Sequence, residues 1–145
     1  MNEQILKMNG LSMEILEVLS FESHLGIPLK KNLHYFDKDL LIAELVMMTE
    51  WLDEQGILSD IALDYRVKSL DSILLKYDRY YPEHQTRKVF NDILGFRAFC
   101  DIYEQILEEE SPQFRIADMS SGKATDDGYR GVHVYYQKSG KHYPI

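Results

Sequence analysis

Arg66-Val67-Lys68-Ser69-Leu70-Asp71-Ser72-Ile73-Leu74-Leu75-Lys76 is the stretch from which the fold is read. It is entered through Ala62-Leu63-Asp64-Tyr65, and Ala62 to Lys68 reads as a short strand whose alternation puts Arg66 and Lys68 on one face. From Leu70 the period lengthens to that of a helix. Leu70, Ile73, Leu74 and Tyr77 form an apolar stripe, and Ser72, Lys76 and Arg79 lie on the opposite side. The strand thus delivers two cations toward a helix start, where backbone N–H groups and a partial positive charge favour an anion. A polyphosphate suits that layout. Taken alone, the same residues also describe a solvated amphipathic helix behind an edge strand, so the rest of the chain has to decide.

Working outward, residues 11–24 carry loose helical periodicity through Leu11, Ile15 and Val18 or Leu19, broken at Gly26-Ile27-Pro28. Asp37 is placed to cap a second helix through Leu40, Leu41, Leu45, Met48, Trp51 and Leu52, with Gly56 expected to end it in a left-handed conformation. The acidic faces of both helices are expected to be solvated. Tyr80-Tyr81-Pro82-Glu83 marks a break, and Arg87 to Phe90 a short helical turn. Ile93 to Cys100 is apolar apart from Arg97, as in a strand covered on both faces. Asp101 to Glu110 reads as a helix ended by Ser111-Pro112. Strands follow at Gln113–Met119, at Tyr129–Gln137 and from Lys141, the last two joined by a turn at Ser139-Gly140. The expected fold is α+β, a mixed sheet flanked by helices, in a single domain of residues 1–145. Its first part, 1–58, is helical, and 59–145 carries the mixed sheet.

Composition bounds the partners. The 145 residues are 45% hydrophobic and 12% aromatic, enough for an ordinary packed core. One cysteine makes no disulfide framework, and the start of the chain has no signal-peptide pattern, so a reducing cytoplasm is expected. The longest apolar run, Leu40 to Met48, is broken by Glu44 and falls short of the roughly 20 residues of a membrane span. His24, His34 and His84 show no zinc-ligand spacing. Net charge is −8, which argues against general nucleic-acid binding. Yet residues 65–100 hold 7 Lys/Arg against 4 Asp/Glu, so a basic pocket sits in an acidic protein. Such a pocket fits a small, highly charged ligand.

Two further groups bear on that ligand. Asp92 stands at the start of an apolar strand, where a carboxylate needs a partner. A Mg²⁺ carrying nucleotide phosphates would satisfy it, as would a cap, or a salt bridge to Arg97 or Arg87. In Gly128-Tyr129-Arg130-Gly131-Val132-His133, alternation sets Tyr129, Gly131 and His133 on one face, where a ring and an imidazole flank a bare position. A purine stacked on Tyr129 with His133 near its ribose or phosphate is one use of that face, and ordinary strand residues with a bulge at Gly131 is the other.

These three blocks, in this order, resemble RelA/SpoT-type alarmone synthetases, the GTP pyrophosphokinases of the stringent response. R-x-K-x-x-x-S-x-x-x-K from Arg66 to Lys76 looks like the family's ATP element, Asp92-Ile93-Leu94-Gly95-Phe96-Arg97 like its D-I-L-G-x-R block, and Gly128 to His133 like its G-Y-x-S-x-H motif. The likeness spans about half of the chain. It implies a nucleotidyltransferase-like fold and the transfer of pyrophosphate from ATP to the 3′-hydroxyl of GDP or GTP. Arg66 and Lys76 would be catalytic, and Arg66, Lys68, Ser72, Lys76 and Arg79 would bind ATP. Asp92 would hold Mg²⁺, and Tyr129, His133, Asp127, Lys123 and Arg97 would receive the acceptor nucleotide. Small family members form homo-oligomers, which the likeness extends to this chain.

The departures are specific. Gly131 stands where the family has Ser, Thr125 where it has a Lys, with Lys123 the nearest, and Asp127 where it has an Asn. The family's final strand reads E-x-Q, its Glu being a metal partner and base, and this chain runs out at His142-Tyr143-Pro144-Ile145 where that Glu is due. The expectation is a truncated synthetase that binds nucleotide better than it turns it over, since loss of a base costs about 10²–10⁴-fold. A toxin-like relative acting on adenine nucleotides or tRNA, and a non-catalytic nucleotide- or partner-binding module, remain alternatives.

Overall fold

A computed structural model describes residues 11–61, 63–97, 114–119 and 131–145, with the backbone alone for 114–119 and 131–133. Helix α1 spans Met13–Val18, opened by Ser12, whose Oγ accepts from the Ile15 N–H at 3.2 Å. It is shorter than the periodicity over 11–24 predicts, because Leu19 already leaves the helical path. Leu16 and Leu19 are buried while Val18 is exposed, which settles the choice between Val18 and Leu19. Gly26 then takes a φ of +75°, a left-handed turn that glycine adopts without a Cβ penalty.

Helix α2 spans Lys38–Asp53, with the Asp37 carboxylate accepting from the Leu40 N–H at 3.0 Å, the cap read from the sequence. Leu41, Leu45, Met48 and Leu52 are fully buried at helical spacing. Two expectations fail here. Leu40 lies in the first turn, rotated away from that stripe, and is 60% exposed. Gly56 does not close the helix in a left-handed conformation. The helix already stops at Asp53, with the Glu54 N–H returning to its last carbonyls, and Gly56 opens the 3₁₀ turn Gly56–Asp60.

Strand β1, Asp64–Val67, pairs antiparallel with β2, Leu94–Arg97, in the register Asp64↔Arg97, Arg66↔Gly95 and Val67↔Leu94. Between them come helix α3, Leu70–Tyr80, and the one-turn helix α4, Thr86–Val89. The Ser69 hydroxyl caps α3, accepting from the Ser72 N–H at 3.3 Å. Ile73 and Tyr77 face the core, but Leu70, counted in the predicted stripe, is 46% exposed at the first turn. Because β2 begins beside the end of β1, the two helices make a closed excursion from that end rather than a crossover to the other.

Strands β3, Phe114–Met119, and β4, Gly131–Tyr136, form a second antiparallel pair, with Ala117 opposite His133 and Met119 opposite Gly131. Beyond it, residues 137–142 turn as expected, the His142 N–H bonding the Ser139 carbonyl at 3.1 Å. The final segment is extended. Ile145 exchanges two backbone hydrogen bonds with Tyr136, and on the way the Tyr143 N–H reaches the Phe21 carbonyl and the Ser23 N–H the Lys141 carbonyl. The fold is α+β. The mixed sheet expected from the element order is not formed by the described strands, which make two separate antiparallel pairs. The helix expected at Asp101 to Glu110 lies outside the described residues.

One apolar core joins these parts, running from Leu11 and Leu16 through α2 to Ile73, Phe90, Ile93, Leu94, Tyr136 and Ile145. Ile93 and Leu94 are buried, whereas Phe96 is half-buried and Arg97 exposed, so β2 is covered on both sides only at its start. Among the described residues, no helix is long and apolar enough to cross a membrane.

Candidate functional site

The alternation of the β1–β2 ladder sorts its side chains by chemistry. Val67, Leu94 and Phe96 face the core side, and Asp64, Arg66, Gly95 and Arg97 share the other. Opposite Arg66 there is no side chain at all, and a Cβ built on Gly95 would meet nothing within 4 Å. The ladder runs one step past the strand, since the Lys68 N–H bonds the Ile93 carbonyl at 2.8 Å. By the same alternation Lys68 shares the face of Arg66, as the sequence predicts.

At that end three charged groups meet. Lys68 Nζ lies 3.1 Å from Asp92 Oδ2, and Lys76 Nζ lies 3.2 Å from Asp92 Oδ1. Lys68 comes from the end of β1, Lys76 from the second turn of α3, and Asp92 from the turn before β2. The lysine is 8% exposed, a burial that an ammonium tolerates only with a counter-ion, while Lys76 is 22% and Asp92 40% exposed. The partners of Asp92 are therefore these two lysines, and neither Arg97 nor Arg87. Arg87 instead donates from Nε to Gln85 Oε1 at 3.0 Å.

The other candidates stand around this cluster. Ser72 is one turn before Lys76 on α3, and its hydroxyl accepts from the Ser69 hydroxyl at 3.0 Å. The α3 N-terminus is thus already capped by a side chain. Arg66 and Arg97 are exposed on the polar face of the ladder. Arg79 is exposed in the last turn of α3, where a cation complements the helix dipole. Arg66 and Arg79 make no ion pair with another described residue. Gly131 and His133 are placed by backbone register in β4, and Tyr129, Asp127, Thr125 and Lys123 lie outside the described residues.

A magnesium ion is the cofactor that the family likeness implies at Asp92. A carboxylate is the right kind of ligand, but both oxygens of this one are engaged by ammonium groups, and the three side chains sum to one positive charge. No group of three or more His, Cys, Asp or Glu among the described residues is arranged to hold a metal. The described residues do not fit a bare divalent cation.

A carboxylate that is buried, unlike Asp92, lies on the face of α2 expected to be solvated. Glu44, 6% exposed, accepts from the Ser23 hydroxyl at 2.7 Å, the His24 N–H at 2.7 Å and the Tyr143 hydroxyl at 2.6 Å. Tyr143 is fully buried, and burial with the Glu44 carboxylate beside it pushes its hydroxyl well above the usual tyrosine range. The available signal was Glu44 itself, one acid inside the apolar run Leu40 to Met48. Tyr143 ties the final segment to α2, and Ser23 and His24 tie the preceding loop to it, so Glu44 is a structural hub of the fold.

The chain matches no protein-family model, and no curated protein matches it.

Proposed function

We propose that the protein is a RelA/SpoT-like nucleotide pyrophosphokinase with a nucleotidyltransferase-like fold, transferring pyrophosphate from ATP to the 3′-hydroxyl of GDP or GTP. The observation that supports it is the convergence of Lys68 and Lys76 on Asp92, below a polar face that carries Arg66. The order of the three sequence blocks supports it as well.

In this reading the acceptor 3′-oxygen attacks the β-phosphorus of ATP, the bond from that phosphorus to the α–β bridging oxygen breaks, and AMP leaves with the electron pair. The hydroxyl proton passes to solvent water as the new bond forms. Negative charge grows on the bridging oxygen and stays high on the transferred group. Fixed ammonium and guanidinium groups lower the barrier by neutralising that charge and holding the donor in line. Lys68 and Lys76 grip phosphate oxygens, with Arg66 beyond them on the open face and Ser72 as an added donor. Arg79 extends the cationic row. Tyr129 stacks on the guanine, with His133, Asp127, Lys123 and Arg97 around the acceptor. The protein acts in the cytoplasm, as a homo-oligomer.

Labelled ATP incubated with GDP, GTP, ADP and tRNA in turn identifies the acceptor by its product. A pyrophosphorylated guanine nucleotide is expected, and a labelled adenine nucleotide or tRNA would replace this reading with a toxin-like one, to which Thr125 and Asp127 point. Nucleotide binding without transfer to any acceptor would favour a non-catalytic binding module. Tyr129→Ala is expected to weaken guanine nucleotide much more than ATP.

A further inference from the structure

We infer that Asp92 is an internal counter-anion: its carboxylate holds the phosphate-gripping ends of Lys68 and Lys76, and a polyphosphate binds by taking its place, with no metal ion first bound to Asp92. The inference rests on the polyphosphate reading of this site and specifies how the ligand enters it.

Three features of the cluster lead there. Each ammonium meets its own carboxylate oxygen, at 3.1 and 3.2 Å, so the two lysines already embrace one oxyanion from two sides. That is the arrangement in which a phosphate group is gripped, and a phosphate brings more oxygens and more charge to it than a carboxylate. Lys68 is 8% exposed and cannot be left without an anion, so some negative group has to stay with it.

The carboxylate is also free to leave. The neighbouring backbone is fixed, since the Ile93 carbonyl accepts from the Lys68 N–H at 2.8 Å. The Asp92 side chain is 40% exposed, and its described partners are the two lysines alone. Exchange therefore requires only a side-chain rotation toward water.

The electrostatics separate this role from that of a metal ligand. A cluster with one net positive charge attracts a polyanion and repels a dication, whereas a prebuilt magnesium site carries excess negative charge. Removing the competing carboxylate should then strengthen polyphosphate binding, and removing a metal ligand should weaken it. The signs are opposite.

Calorimetric titration of sodium tripolyphosphate into the full chain, in EDTA and again in excess Mg²⁺, reads the difference. Asp92→Asn is expected to bind tripolyphosphate about tenfold more tightly than the parent chain in EDTA, because a repelling charge has gone. The ratio should persist in Mg²⁺. Asparagine binding that is weaker only when Mg²⁺ is present makes Asp92 a metal ligand and overturns the inference while leaving the polyphosphate site standing. Equal affinities in EDTA overturn it too. Absence of tripolyphosphate binding by the parent chain under both conditions removes the polyphosphate reading itself. Should Asp92→Asn fail to fold, Lys76→Gln, which keeps the Lys68–Asp92 pair, is expected to lose about tenfold in EDTA, and an unchanged affinity would refute the two-lysine grip.

Discussion

Lys68 and Asp92 are an unequal pair, 3.1 Å apart with the ammonium 8% and the carboxylate 40% exposed. Removing either partner therefore has a different consequence. Asp92→Ala strands a buried ammonium and should cost about 1–3 kcal/mol. Lys68→Met keeps the apolar stem and leaves a carboxylate that water and Lys76 can serve, so its cost should stay below about 1 kcal/mol. Urea unfolding of both variants checks the order, and a larger loss in Lys68→Met would contradict the burial argument.

Lys76 and Arg79 sit on one face of α3, but only Lys76 reaches the Asp92 cluster. Lys76→Ala is expected to weaken ATP about tenfold or more, and Arg79→Ala by no more than about threefold, as for a screened surface charge. Equilibrium binding at two salt concentrations measures both. Equal losses would place the phosphate grip further along the helix.

Glu44 satisfies three donors, so its neutral analogue leaves at least one of them opposed by an amide N–H. Glu44→Gln should destabilise the fold by about 1–3 kcal/mol, and Tyr143→Phe by about 1–2 kcal/mol. Chemical denaturation tests both. The double variant should cost less than the sum, because the two groups share one hydrogen bond.

The Tyr143 hydroxyl, raised by burial and then by Glu44, keeps its proton in the folded chain beyond pH 10, where an unfolded tyrosine loses it. Its contribution is complete below pH 10 and declines above it, by up to about 1.4 kcal/mol per pH unit. On the acid side, burial and then Lys138 lower the His142 imidazole below 6.5, so stability contributed there is lost as the pH falls through that region. Denaturation midpoints from pH 5 to 11 are expected to drop at both ends, and Tyr143→Phe should flatten the alkaline limb alone.

Much of this arrangement was legible in the residues. The Asp37 cap, the helix from Leu70, the short turn after Arg87 and the Arg66–Lys68 face follow from local rules of capping and alternation, and those rules hold. What failed depends on partners distant in sequence. Leu40 and Leu70 fit an apolar period but fall in first turns that no element among the described residues covers. Asp92 at the start of an apolar strand calls for a cation, yet nothing in a linear pattern prefers Lys68 and Lys76 over Arg87 and Arg97. Glu44 departs from the solvated acidic face expected of its helix because its donors come from a loop before it and from Tyr143, 99 positions away. The sheet was expected to be mixed because element order does not reveal that β2 returns beside the end of β1.

The distance in sequence between Glu44 and Tyr143 orders events during synthesis. When α2 leaves the ribosome its acid has to stay hydrated, because the phenol that will cover it has not yet been translated. The amino-terminal helices therefore cannot complete their packing around Glu44 until Tyr143 has been added to the growing chain.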